Sequence, residues 1–304
     1  MDWLIILGAV LSLIVVVLIV VLWFIVKAAA KSLLSPPRKI GKWTPRDIGL
    51  EYEDLVYETF DGVKLKSWLV KKSNEKAVVL IHGYTSSKWD EDYIKPVLSI
   101  LAKAGYTVLV PDMRAHGESG GEITTLGYLE SRDVVGLVNY LRKMGYKKIC
   151  LYGFSMGGAI SIMTASKESV DAVVLDSPYV SVKESGRRWI NRIRGPLRYL
   201  LQLTYPLIVS RVVRLMKEKV GEEFGVETLV MYQYARNIKS PVLLIAPLRD
   251  DLISTEEYKR LAEELKAGSP QVETWFVDTV HVHAVQDHPR EYEEKVLQFL
   301  TRAM

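Results

Sequence analysis

From Trp3 to Val26 the chain reads WLIILGAVLSLIVVVLIVVLWFIV, 24 residues without a charge and with Ser12 as the single polar side chain. A helix of that length crosses the roughly 30 Å hydrocarbon core of a bilayer. A globular domain rarely buries a helix that is apolar all round. A cleaved signal would carry a basic stretch ahead of a shorter apolar one, and here only Asp2 follows Met1 before the run begins. The run therefore reads as a retained single-pass anchor in the cell membrane. Lys27, Lys31, Arg38, Lys39 and Lys42 follow it directly. The preference of basic residues for the cytoplasmic side predicts N-out, C-in, with the bulk of the chain cytoplasmic. The organisation expected is an anchor over 1–27, a juxtamembrane linker over 28–50 punctuated by Pro36, Pro37 and Pro45, and a globular domain over 51–304.

Charge and cysteine content narrow the partners. A net charge of +4, without a Lys/Arg run interleaved with aromatics, argues against nucleic acid. The single cysteine, Cys150, allows no intrachain disulfide; it lies in the apolar run KICLYGF as a buried thiol, which fits a reducing compartment. No cofactor or metal is expected, because the Asp and His residues come without ligand spacing or a cysteine partner.

Beyond the linker, VKLKSWLVK (63–71) alternates as a strand should, and five continuous apolar runs follow at 77–83, 106–112, 148–154, 172–178 and 241–247. Such runs fit strands buried on both faces of a parallel sheet. Helical patterns alternate with them: DYIKPVLSILAKAG, LGYLESRDVVGLVNYLRKMG and MGGAISIMTAS. The fold class is therefore α/β, a mostly parallel central sheet flanked by helices, with its site at the carboxyl ends of the strands.

One strand end carries chemistry. Gly153-Phe154-Ser155-Met156-Gly157 matches G-x-S-x-G between an expected strand and an expected helix. The turn is so tight that side chains at the two glycines would collide with neighbouring backbone. Ser155 is the candidate nucleophile, and it needs a base and a group to orient that base. After PVLLIAP comes LRDDLIS with Asp250 and Asp251; after QVETWFV comes HVHAVQDHP with His281 and His283. Alternation does not separate the two histidines, which would project to the same side of an extended segment. Pro289 suits the first position of a following helix whose apolar stripe is Tyr292, Val296, Phe299 and Leu300. His82 and His116 are expected to brace loops at strand ends.

From about residue 50 onward the chain resembles the serine α/β-hydrolases, in particular small esterase and lipase-like members with an N-terminal membrane anchor. The matching stretches are IHGYTSS (81–87), DMRAHGESGG (112–121), GFSMGG (153–158), LDSPY (175–179), PVLLIAPLRDDLIS (241–254) and the closing HVHAVQDHPREYEEKVLQFL. The resemblance implies the order serine, acid, histidine and an oxyanion hole from the backbone N–H groups of Tyr84 and Met156. It favours Asp250, which falls on the acid of the family's G-x-x-D-x-x-V-P frame, although Pro247 and Ser254 depart from that frame and leave Asp251 open. It favours His281, eight residues before Pro289 and eleven before Tyr292, over His283. Residues 180–240 are expected to form a helical cap whose arginines (Arg187, Arg188, Arg192, Arg194, Arg198, Arg211 and Arg214) either face solvent or meet anionic lipid headgroups.

The function expected is a membrane-anchored serine hydrolase of carboxylic esters, with a small-molecule or lipid ester as substrate. A peptidase, amidase or thioesterase would share the triad. A catalytically silent, membrane-tethered binding module is the alternative of a different class, and the retained serine, acids and histidines speak against it.

Overall fold

The computed structural model describes residues 2–220 and 224–304; residues 221–223, within the expected cap, lie outside the described residues. Eight strands form one sheet: β1 (Glu53–Glu58), β2 (Lys64–Val70), β3 (Lys76–Ile81), β4 (Thr107–Pro111), β5 (Lys148–Phe154), β6 (Ala172–Asp176), β7 (Val242–Pro247) and β8 (Val272–Val277). Their order is β1-β2-β4-β3-β5-β6-β7-β8. β1 pairs antiparallel with β2, and β2 with β4, while every pairing from β4 to β8 is parallel. The helices are α1 (Asp2–Leu34), α2 (Ile94–Lys103), α3 (Tyr128–Lys143), α4 (Met156–Ala165), α5 (Val182–Ile190), α6 (Leu197–Val220), α7 (Tyr232–Ala235), α8 (Thr255–Gly268), α9 (Ala284–Asp287) and α10 (Pro289–Ala303).

The continuous apolar runs become strands because both of their faces are covered. Val79, Ile81, Leu151 and Leu175 belong to a core shared with α3 and α4; Val78, Leu80, Tyr152 and Val174 alternate with them into a second core under α2 and α10. Each such side chain, fully buried, contributes roughly 1.5–3 kcal/mol. The stripe Tyr292, Val296, Phe299 and Leu300 is buried, and Pro289 opens α10. β1, which the sequence gives no sign of, is an edge strand whose side chains stay exposed or half-buried. Its residues therefore lack the apolar signature of a covered strand.

Two features tie the apolar helix and the stretch after it to the domain. α1 runs beyond the apolar segment to Leu34, and its last turns dock on the domain: Ala30 and Leu34 are buried. The proline-punctuated stretch after it is packed as well. Trp43 and Leu50 are buried, and the Trp43 indole N–H donates to the Trp89 carbonyl at 2.7 Å. Pro45 opens a single 3-10 turn (Pro45–Ile48), so the prolines interrupt α-helix without excluding order. α1 is the one helix among the described residues long and apolar enough to cross a membrane.

Candidate active site

Ser155 sits between β5 and α4 with φ 50° and ψ −110°, a backbone conformation that non-glycine residues rarely adopt. Its neighbours allow it. A Cβ at Gly153 would lie 2.1 Å from the Gly157 carbonyl oxygen, and one at Gly157 would lie 2.2 Å from the carbonyl oxygen of Ile81. The turn is anchored by the Ser155 N–H donating to the Asp176 carbonyl at 2.9 Å. The Met156 N–H that follows opens α4, among the helix's first unpaired donors.

Four strand ends converge on this serine. His281, after β8, places Nε2 2.9 Å from Ser155 Oγ, and its Nδ1 lies 2.7 Å from Asp250 Oδ2, after β7. With Nδ1 donating to the carboxylate, Nε2 keeps its lone pair for the serine hydroxyl. Asp250 is fully buried at its side chain and satisfied on both oxygens. Oδ1 accepts the N–H groups of Leu252 (2.8 Å) and Ile253 (3.1 Å), and Oδ2 also accepts the Tyr258 hydroxyl at 2.6 Å. Those donors offset the cost of burying an ionised carboxylate. Tyr84 follows β3, where the Gly83 N–H donates to the Tyr93 hydroxyl at 3.1 Å.

The other candidates are placed elsewhere. Asp251 points away from His281 into an exposed ion pair, with Arg192 Nε donating to Oδ2 at 2.8 Å. His283 is exposed at the start of α9, where its carbonyl accepts the Gln286 and Asp287 N–H groups. His82 and His116 are buried as a pair, ring centroids 5.1 Å apart. His82 Nδ1 donates to the Gly83 carbonyl at 2.7 Å, and Nε2 accepts the Met113 N–H at 3.0 Å. With both nitrogens so used, a second proton on Nε2 would cost the Met113 hydrogen bond. Burial pushes its pKa down to about 4. Burial, and then the neighbouring His82, push His116 down to about 4 as well.

Sequence reasoning missed a second layer behind the histidine. The Asp176 carboxylate, at the end of β6, accepts the hydroxyls of Ser177 (2.7 Å) and Tyr292 (2.7 Å), and burial still pushes it up to about 6. Ser177 Oγ in turn accepts the Val282 N–H at 3.0 Å. Ser177 (φ 51°) and Val282 (φ 61°) both adopt left-handed backbone, strained for a serine and more so for a β-branched valine. This contact fixes the residue next to His281. A polar pair closing the apolar run at 172–178 and a phenol within the apolar stripe of α10 were the available signals.

A cavity of about 480 Å³ opens at Ser155, with Tyr84 and Met156 at its floor. Its walls are apolar: Ile190 of α5 and Leu201, Ile208, Val212 and Met216 of α6 face Leu229 and Ile253. The helices between β6 and β7 therefore roof the site. Three of the seven arginines expected in the cap are in ion pairs among the described residues: Arg188 with Glu257, Arg192 with Asp251 and Arg214 with Glu218.

Comparison with known proteins accords with this architecture. Residues 76–230 match the alpha/beta hydrolase fold family. A solved esterase of Pyrococcus furiosus is 35% identical with a TM-score of 0.77, the alignment covering 90% of this chain and 98% of that one. A carboxylesterase of Bacillus subtilis is 24% identical over 242 residues, 76% of this chain and 94% of its own. An uncharacterised membrane protein of Saccharomyces cerevisiae is 29% identical over 147 residues, 46% of this chain and 50% of its own length. The chain belongs to the α/β-hydrolase family.

Proposed function

We propose that the protein is a serine carboxylesterase working through Ser155, His281 and Asp250. The observation that carries the reading is the unbroken relay from Ser155 Oγ through both nitrogens of His281 to Asp250, set at the floor of an apolar cavity. Hydrolase chemistry is what family membership supports, and the esterases of Pyrococcus furiosus and Bacillus subtilis favour esters.

Ser155 Oγ attacks the ester carbonyl while His281 Nε2 takes its proton, and Asp250 holds the imidazolium. The backbone N–H groups of Tyr84 and Met156 receive the oxyanion, a contribution of about 3 kcal/mol per donor in sites of this type. His281 then protonates the leaving alkoxide, and water repeats the cycle on the acyl-enzyme. No step calls for a cofactor.

α1 is read as a single-pass membrane anchor. An 18-residue stretch within it of mean hydropathy 3.5, the basic residues after it and the yeast membrane protein among its relatives support this. The domain then lies on the cytoplasmic side, with lipid esters within reach of the site. The test is hydrolysis of p-nitrophenyl esters by the full chain in detergent. Ser155→Ala and His281→Ala should each lower kcat by about 10⁴-fold or more. A folded parent inert towards every chain length would point instead to a binding module.

A further inference from the structure

The cavity wall contains residues that no hydrolase motif accounts for. Ala29, Ser32 and Leu33, from the last two turns of α1, and Pro37 just beyond it line the same space as Ser155. These turns are held in place. The Tyr84 hydroxyl donates to the Leu33 carbonyl at 2.9 Å, the Thr124 N–H to the Leu34 carbonyl at 2.7 Å, and Ser35 Oγ to the Glu122 carbonyl at 3.0 Å. The carbonyls that a helix leaves unpaired at its C-terminus are thus taken up by the domain. One of the donors belongs to Tyr84, the residue assigned above to the oxyanion hole.

The position of this wall relative to the apolar run is informative. The run ends at Val26 and the wall begins at Ala29, a rise of about 4.5 Å along a helix. α6 continues the apolar surface beside it. Tyr199, Leu203 and Leu207, spaced four residues apart on one face, are exposed, Leu203 at 80%. A soluble short-chain ester needs neither a membrane helix in its pocket nor an apolar helix face beside it. A lipid tail leaving the bilayer meets both in sequence.

Building on the esterase reading, we propose that the last two turns of α1 form part of the acyl site, with Ala29 and Ser32 limiting the length of tail it admits. The substrate class is then an ester of a single long acyl chain, drawn from the bilayer along α1 and α6, its carbonyl delivered to Ser155 and its tail held between Ala29 and the α6 face lined by Leu201 and Val212. The anchor is in this sense a piece of the binding site as well as a tether.

The test uses the full chain in phosphatidylcholine nanodiscs and a diazirine-bearing palmitic acid, whose photo-crosslinks are mapped by mass spectrometry. The parent should crosslink within α6 and the last turns of α1. Ala29→Trp, filling the wall, should cut the α6 yield at least fivefold, whereas Ala28→Trp, on the exposed side of the same turn, should leave it unchanged. Ser32→Trp at the rim serves as a second blocking variant should Ala29→Trp melt early. Crosslinks confined to the exposed apolar run, or equal α6 yields in Ala29→Trp and the parent, would overturn the proposal. A parallel ester series should show the C16-to-C2 ratio of kcat/KM falling at least tenfold in Ala29→Trp. Because crosslinking requires no hydrolysis, a parent that crosslinks but turns over no ester would count against the esterase reading alone and support the acyl site.

Discussion

Tyr258 and His281 meet on a single oxygen: the Tyr258 hydroxyl donates to Asp250 Oδ2 at 2.6 Å, and His281 Nδ1 lies 2.7 Å from the same atom. The phenol, from α8, keeps the carboxylate turned toward the imidazole. A hydrogen bond to a charged group contributes roughly 1.5–3 kcal/mol. Tyr258→Phe should therefore lower kcat by about tenfold or more with KM little changed, as read from steady-state kinetics on a short-chain ester. An unchanged kcat would remove Tyr258 from the positioning of the triad.

The two aspartates and two histidines invite a paired comparison. Asp250→Asn keeps the shape and removes the charge that stabilises the imidazolium, and should cost about 10³–10⁴ in kcat. Asp251→Asn loses only an exposed ion pair with Arg192, worth at most about 1 kcal/mol. Its kcat should stay within about twofold of the parent, as should that of His283→Ala. Reversed ranks in either pair would reassign the site.

Gly157 is a stability prediction. A methyl there would sit 2.2 Å from the Ile81 carbonyl oxygen, which β3 cannot move without breaking its pairing with β5. Gly157→Ala should destabilise the fold by about 3 kcal/mol or more, measured by chemical denaturation. A shift below 1 kcal/mol, on the order of an ordinary surface change, would mean that the turn at Ser155 tolerates a methyl group at Gly157.

The two buried histidines make a contribution to stability that is lost on mild acidification. Burial holds His82 and His116 down to about 4, against an ordinary 6.5. The unfolded chain takes up their protons as pH drops through 6.5 while the folded chain does not until about 4, so stability complete above 6.5 is lost across that interval. Asp176 works in the opposite direction. Burial pushes its carboxyl up to about 6, so the folded state gains that proton first, and the opposing gain accrues from about 6 down to 3.8. Asp133, whose carboxyl burial pushes up to about 7, opposes the histidines in the same direction as Asp176. Substitution isolates the histidine part: between pH 7 and pH 4.5 the parent should lose more unfolding free energy than His116→Gln, by on the order of 2 kcal/mol. An equal slope in both proteins would contradict it.

Much of this fold is legible because burial on both faces writes continuous apolar runs into the sequence, as at 77–83 and 148–154. β1 escapes because an edge strand half in solvent needs no such run. Ser155 stands out through a steric requirement, glycines where any side chain would meet backbone. The choice between Asp250 and Asp251 does not stand out, because it depends on which carboxylate the Leu252 and Ile253 N–H groups and the distant Tyr258 hydroxyl receive. The same holds for the docking of Leu34 and Trp43 on the domain. A proline-rich stretch after an apolar helix reads as a linker until the surface that receives it is known.

The central claim is that Ser155 is a nucleophile activated by His281. The most direct measurement is intact-protein and peptide mass spectrometry after exposure to a fluorophosphonate. One covalent adduct per chain is expected, located on Ser155, absent in Ser155→Ala and formed at least a hundredfold more slowly in His281→Ala. A folded parent that gains no adduct, or gains it on another residue, would remove Ser155 as the nucleophile.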